Sequence, residues 1–175
     1  MAIFVAPNVA DLINADRRRH PAIYGEAPSS AQLGTPRIDA IYLEELQKTA
    51  SSNAVRKEQL YSRLRDQLQS LESLEPGWDS YAAPPPAPLA RREAQRSLEI
   101  LRHLNAEPAA VLPSVDGGVG ICFNNGDRYG QLEFLNDGEA HALLYGGTNG
   151  SLAWQIDLAD TNALRQAWTR ISAYL

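Results

Sequence analysis

The spacing of apolar residues divides the chain into a helical first half and a stranded second half. Before residue 108 the apolar positions recur at intervals of three and four, which is typical of amphipathic helices. After residue 108 they alternate with polar residues, which is typical of strands that bury one face. The pattern therefore predicts an α+β protein, with a helical N-terminal half packed on a sheet.

The helical half begins with a recognisable start signal. Thr35 and Pro36 are residue types that favour the N-cap and first position of a helix. The stretch from Thr49 to Asn53 consists of weak helix formers and predicts a break. Leucines at helical spacing then resume. Four helices are predicted in the whole chain, over residues 36–48, 55–74, 89–105 and 160–174.

The second half reads as a series of hairpins. Turn residues rich in Asn, Asp and Gly separate its alternating segments at even spacing, which predicts an antiparallel meander of four to five strands over about 110–158. A strand near Val111 is predicted at the edge of the sheet, because Pro113 has no N–H to donate. The apolar face of this sheet needs a cover, which the helices and a final C-terminal helix can provide.

Residues 1–35 differ from the rest of the chain. They lack a sustained apolar repeat, and their second half is rich in Pro, Gly, Ser and Ala. We predict a partly disordered N-terminal arm over residues 1–35 and a single α+β domain over 36–175.

Composition places the chain among globular proteins. It has 175 residues, 44% of them hydrophobic and 21% charged. No stretch approaches the roughly 20 apolar residues that a membrane span needs, and the first residues lack the basic segment of a secretory signal. The lone cysteine, Cys122, fits a reducing compartment. These features predict a cytoplasmic protein with no membrane partner.

The net charge of −5 is unevenly distributed. Residues 1–105 have equal numbers of acidic and basic side chains, whereas residues 106–175 have eight acidic side chains and three basic ones, Arg128, Arg165 and Arg170. Phosphates need a basic face, so nucleic acid is an unfavourable partner for the second half. A basic protein partner fits better, although acidic turns also serve simply to keep a sheet soluble.

A local motif suggests a resemblance. The segment Gly77-Trp-Asp-Ser-Tyr-Ala-Ala83 precedes a predicted helix, and Pro113-Ser-Val-Asp-Gly-Gly-Val-Gly-Ile121 and Leu132-Glu-Phe134 follow it. Together they resemble a group of small bacterial proteins with a Trp-Asp-x-Tyr-x-Ala loop, a helix, and an Asp-Gly-Gly hairpin that leads into a meander. The resemblance covers about residues 74–140. It implies an order of elements, but the group has no established activity that could be transferred.

The loop itself allows two interpretations. In the structural one, which we favour, Asp79 braces the turn through backbone N–H groups, and Trp78 and Tyr81 seal the seam between helices and sheet. In the functional one, the two aromatic residues form an exposed anchor for a partner, since Trp and Tyr are enriched in binding hot spots.

No catalytic or metal-binding pattern stands out in the sequence. The three histidines, His20, His103 and His141, lack metal-ligand spacing, and Cys122 falls in the middle of a predicted strand. We therefore predict no cofactor and no metal. An enzyme with a scattered acid–base site around Asp79 and a histidine remains the main alternative.

The leading hypothesis is a non-enzymatic bacterial protein-binding module, such as an antitoxin, immunity protein, inhibitor or accessory subunit. It would use the acidic sheet half and the N-terminal arm, and a homo-oligomer is left open. A nucleic-acid-binding regulator that uses Arg17–Arg19 and the helix with Arg91, Arg92, Arg96 and Arg102 is a further alternative. The candidate partner-binding residues are Trp78, Asp79, Tyr81, Glu133, Asp137, Asp157, Arg17, Arg18 and Arg19.

Overall fold

The computed structural model describes residues 36–146, 150–160 and 162–175, with side chains from residue 42 onward. The predicted arm over 1–35, with its three arginines, lies outside the described residues. The elements in chain order are α1 (Pro36–Ser70), a 3₁₀ turn (Leu71–Ser73), α2 (Pro88–His103), β1 (Ala110–Pro113), β2 (Gly118–Asn125), β3 (Arg128–Leu135), β4 (Ala140–Gly146), β5 (Leu152–Gln155) and α3 (Ala163–Tyr174).

The predicted break after residue 48 is wrong, because α1 runs without interruption from Pro36 to Ser70. The segment from Thr49 to Asn53 contains neither proline nor glycine. Each of its weak helix formers costs at most about 0.7 kcal/mol relative to alanine. A break would leave four N–H and four C=O groups without helical partners, which is the greater cost. The low helix propensity of these residues is therefore not enough to interrupt α1.

The five strands form the predicted antiparallel meander, with spatial order β1-β2-β3-β4-β5. The α+β class and the C-terminal helix are confirmed. Strand β1 is an edge strand that contains Pro113, as expected. Helix α3 begins at Ala163, later than predicted, because the carboxylate of Asp160 accepts the N–H of Asn162 in a turn ahead of the helix.

One face of the sheet, here called the inner face, forms the core with the helices. Its largest fully buried side chains include Phe123, Leu132 and Phe134, against Leu98 of α2 and Ile171 of α3. Tyr61 of α1 is also fully buried and donates its hydroxyl to the backbone oxygen of Ala106 at 2.9 Å. The opposite face, here called the outer face, carries alternating residues that include Leu112, Gln131, Glu133, His141 and Tyr145.

The compact unit that contains every described strand begins at Leu46 rather than at residue 36. The predicted single domain over 36–175 stays a prediction, and Leu46–Leu175 forms one compact unit. The pattern of the sequence could not place this boundary, because it falls within α1. Among the described residues, no helix has the length and apolar character to cross a membrane.

Candidate functional site

Asn136 ties three loops together at one end of the sheet. Its side-chain oxygen accepts the N–H of Ala87 at 2.6 Å, and its side-chain nitrogen donates to the backbone oxygen of Pro85 at 3.0 Å. The backbone N–H of Asn136 donates to the backbone oxygen of Gly117 at 3.2 Å. The loop before α2, the β1–β2 turn and the β3–β4 turn therefore hold one another in place. All three segments belong to the stretch for which a resemblance was predicted.

Two glycines allow these loops to approach closely. A Cβ on Gly117 would lie 2.7 Å from Pro84 and from the side-chain nitrogen of Asn136, and Gly117 has a φ of +85°. A Cβ on Gly118 would lie 2.3 Å from the backbone oxygen of Phe134. Neither position has room for a side chain, so the Asp-Gly-Gly motif has a structural reason.

Asp79 braces the loop before α2, as the structural interpretation predicts. One oxygen of its carboxylate accepts the N–H of Tyr81 at 2.9 Å and that of Ala83 at 3.0 Å. The hydrogen bond from Ala83, followed by that from Tyr81, lowers the pKa of Asp79, because both bonds stabilise the charged carboxylate. A carboxyl group with a lowered pKa is a poor proton donor near neutral pH, which disfavours Asp79 as a general acid.

The two aromatic residues of the loop have different environments. Trp78 is half-buried, and its indole N–H points to the backbone oxygen of Pro84 at 3.4 Å. Tyr81 is 90% exposed, so the expectation that it seals the seam between helices and sheet is wrong. The backbone on both sides of Tyr81 has positive φ, at Ser80 and Ala82, which turns its ring outward. The braced loop thus displays a tyrosine to solvent.

The three acidic candidates of the sheet half lie in different settings. Glu133 lies on the outer face in β3 and accepts the hydroxyl of buried Ser114 at 2.5 Å. Asp137 lies in the β3–β4 turn and accepts the N–H of Glu139 at 2.9 Å. Asp157 follows β5 and accepts the N–H of Ala159 at 2.9 Å. Each carboxylate therefore supports local structure, and only Asp137 and Asp157 belong to the loops.

The loops at this end of the sheet carry negative charge only. Antiparallel pairing brings the β1–β2 turn, the β3–β4 turn and the segment after β5 to the same end, beside the loop before α2. We call residues 74–87, 114–117, 136–139 and 156–160 the acidic end. These segments contain no lysine or arginine and seven acidic residues, Glu75, Asp79, Asp116, Asp137, Glu139, Asp157 and Asp160.

Apolar side chains are exposed beside these charges. Val115, in the β1–β2 turn, is 63% exposed, and Tyr81 is the more exposed of the two. A shallow hollow lies between the β3–β4 turn and the segment after β5, and Glu139 and Asp157 line it. The acidic end therefore places an exposed tyrosine, a residue type enriched at interfaces, beside a set of carboxylates that a basic surface could complement.

The arginines of α2 are already paired with carboxylates. A guanidinium nitrogen of Arg91 lies 3.1 Å from a carboxylate oxygen of Glu72. The carboxylate of Glu93 lies 3.9 Å from the guanidinium of Arg96 and 4.0 Å from that of Arg92. Arg102 forms ion pairs with Glu58 and Glu99. These contacts disfavour α2 as a phosphate-binding face, because its positive charges are locally neutralised.

The residues considered for catalysis are dispersed. Cys122 is buried in the middle of β2 on the outer face, opposite Val119, Ile121 and Phe123, as predicted, and burial raises the pKa of its thiol. Its sulfur receives the hydroxyl of Tyr129 at 3.0 Å. The Nε2 atom of His141 lies 3.5 Å from a carboxylate oxygen of Glu139. Within the described ranges, no group of three or more His, Cys, Asp or Glu side chains is arranged to hold a metal ion.

The sequence interpretation missed Asn136 and Val115. The signal for Asn136 was present, since an asparagine at the start of an Asn-Asp-Gly turn has an amide that can bond to backbone groups in both directions. Its partners lie 49 and 51 residues away, so no local pattern identifies them. No protein-family model, curated protein or solved structure matches this chain.

Proposed function

We propose that this chain is a non-enzymatic protein-binding module whose acidic end contacts a basic surface of a partner protein. The observation that carries the proposal is the combination of seven acidic residues and no basic residue in the loops of the acidic end with the 90% exposed ring of Tyr81. An antitoxin, immunity protein, inhibitor or accessory subunit would act in this manner.

The rigidity of the loop supports this proposal. A tyrosine held outward on a braced loop loses less conformational entropy on binding, because Asp79 already holds the backbone N–H groups of Tyr81 and Ala83. Tyrosine is also among the residue types enriched in hot spots. The surrounding carboxylates would accelerate association with a basic partner and exclude acidic ones.

The test compares variants of the tagged full-length protein that keep the loops intact. The side chains of Glu75 and Asp116 are exposed and brace no loop backbone in the part of the chain that the structure describes. The double variant Glu75→Lys with Asp116→Lys therefore changes the charge of the acidic end without removing a brace. Asp127→Lys is the matched control, since Asp127 is exposed in the β2–β3 turn at the other end of the sheet.

We expect the wild-type protein to capture one basic protein in stoichiometric amount from its host, more strongly at low salt. Tyr81→Ala should weaken the purified complex roughly tenfold or more, with the stability of the free protein unchanged. The double charge reversal should slow association, whereas Asp127→Lys should not. Capture that survives both changes at the acidic end would contradict the proposal.

The contribution of residues 1–35 to binding stays a prediction. Deletion of these residues tests it separately, because the acidic end lies entirely within the unit Leu46–Leu175. A loss of affinity on deletion, with the effects of Tyr81→Ala unchanged, would indicate two independent contact regions.

A further inference from the structure

The two edge strands of the sheet, β1 and β5, differ in whether their outward-facing backbone groups are blocked. At the β1 edge, the side-chain oxygen of Gln67 accepts the N–H of Val111 at 3.0 Å, and Arg63 donates to the backbone oxygen of Ala109 at 3.4 Å. Pro113 has no N–H to offer. Helix α1 and a proline thus block β1 against addition of another strand, which is a common protection of edge strands.

The β5 edge lacks these protections. Ile156 donates its N–H to Ala140 at 2.7 Å, so in antiparallel pairing Leu152, Trp154 and Ile156 direct their backbone groups toward β4. The backbone groups of Ala153 and Gln155 then point away from the sheet, and they have no partner among the residues that the structure describes. Strand β5 contains neither proline nor a charged residue.

The inner face is also incompletely covered at β5. Leu152, which lies on this face, is 48% exposed, and Trp154 is half-buried. The guanidinium of Arg170 in α3 lies over the ring of Trp154, with 4.2 Å to the ring centroid. An added strand would cover both side chains if it carried apolar residues on the same face at a period of two.

We propose that β5 pairs with β5 of a second copy of this chain, in antiparallel orientation about a two-fold axis, to form a ten-stranded sheet across a homodimer. Ala153 of each copy then pairs with Gln155 of the other, and both pairs exchange N–H···O=C hydrogen bonds. Trp154 lies next to Trp154 of the second copy on the inner face. In this register Leu152 of each copy lies opposite Ile156 of the other, so apolar residues face apolar residues along the whole inner face of the contact.

Charge favours the antiparallel orientation. Asp157 and Glu139 lie beyond one end of β5. Antiparallel pairing places this end of each copy beside the opposite end of β5 in the other copy, so the two sets of carboxylates stay apart. Parallel pairing would bring two acidic ends together, and like charges side by side are unfavourable. A closed two-fold contact also uses both β5 edges completely.

The first experiment measures the mass of the full-length protein by analytical ultracentrifugation over roughly a thousandfold range of concentration. We expect the mass to rise from 19.2 kDa toward twice that value. Hydrogen exchange at both extremes gives an independent measurement, in which the amides of Ala153 and Gln155 become protected only in the dimer. A monomer at all concentrations would overturn the proposal.

The second experiment uses Ala153→Pro, which removes an N–H that β4 does not use and should therefore leave the monomer folded. We expect it to raise the dissociation constant of the dimer roughly tenfold or more. Tyr145→Lys is the control, because Tyr145 is 63% exposed on the outer face in neighbouring β4 and makes no edge contact. Circular dichroism verifies the fold of both variants.

A dimer that survives Ala153→Pro but not Tyr145→Lys would place the contact on the outer face and refute the edge pairing. This inference goes beyond the proposed function and is tested apart from it, because Tyr81, Glu75 and Asp116 lie outside β5. Loss of partner capture by Ala153→Pro in a strictly monomeric protein would instead assign the edge to a partner strand, and would refute the homodimer.

Discussion

At each end of the sheet, side chains of the meander form hydrogen bonds to the backbone of a distant segment, but the two ends differ in charge and in exposure. At the acidic end, Asn136 holds the loop before α2 through the backbone of Pro85 and Ala87. At the opposite end, Asn125 donates to the backbone oxygen of Leu175 at 2.5 Å, and Arg128 donates to that of Tyr174 at 2.7 Å. At both ends a turn of the meander fastens a distant segment.

The difference lies in where the remaining groups point. Arg128 at the opposite end lies over the ring of Tyr174, 5.5 Å from its centroid, and the hydroxyl of Tyr174 donates to the backbone oxygen of Gly146. These two side chains are thus used within the fold, although Tyr145 at the same end is 63% exposed. At the acidic end the ring of Tyr81 faces solvent instead. The contacts that close the two ends of the sheet do not use the ring of Tyr81, so this ring is available for binding.

The largest effect is expected from the glycines that permit close backbone approach at the two ends. A Cβ on Gly118 would lie 2.3 Å from the oxygen of Phe134, and one on Gly146 would lie 2.0 Å from the oxygen of Asp127. Their φ values are +146° and +111°. Substitution of either by alanine should lower the free energy of unfolding by about 3 kcal/mol or more in urea titrations, because strain and steric overlap add.

Gly126 is the matched control for these substitutions. It also has a positive φ, of +64°, but a Cβ there would meet nothing within 4 Å. Gly126→Ala should cost only about 1 kcal/mol. Equal losses at Gly126 and Gly118 would show that backbone conformation alone, rather than close approach, decides these positions.

An intermediate effect should separate the two asparagines. Asn136 is half-buried and satisfies two backbone groups, so Asn136→Ala should lower the free energy of unfolding by about 2 kcal/mol. Asn125 is exposed, and water can replace its contact, so Asn125→Ala should cost under about 0.5 kcal/mol. Chemical denaturation measures both. If Asn125→Ala proved the more costly, the acidic end would not be the more tightly fastened one.

The smallest effect is local and depends on pH. The pKa of Asp79 is lowered by the N–H groups of Ala83 and Tyr81, so its stabilisation of the loop is present above the ordinary pKa of aspartate and is lost as pH falls through the lowered value. The protection factor of the Ala83 amide, which compares its exchange rate with the intrinsic rate at the same pH, should therefore fall in acid, and Asp79→Ala should show reduced protection already at neutral pH. An Asp79 pKa at or above its ordinary value, measured by NMR, would refute this role.

Several features of this protein were determined by local sequence alone. The change of apolar period near residue 108 and the evenly spaced turns predicted the α+β class and the antiparallel meander. Pro113 predicted an edge strand, and the Asx geometry of Asp79 predicted its bracing role. These features depend on residues within a few positions of one another, where side-chain chemistry and backbone conformation are directly coupled.

The tertiary structure decided the rest. The continuity of α1 through Thr49 depended on the cost of breaking a long helix, which outweighed local propensity. The exposure of Tyr81 accompanies positive φ values at Ser80 and Ala82, which these residue types rarely adopt and therefore do not predict. The acidic end arose because antiparallel pairing gathers alternate turns at one end of a sheet. The acidic end depends on pairing between strands that are distant in the chain, and the continuity of α1 depends on the hydrogen bonds of the whole helix, so neither follows from the propensity of a short segment.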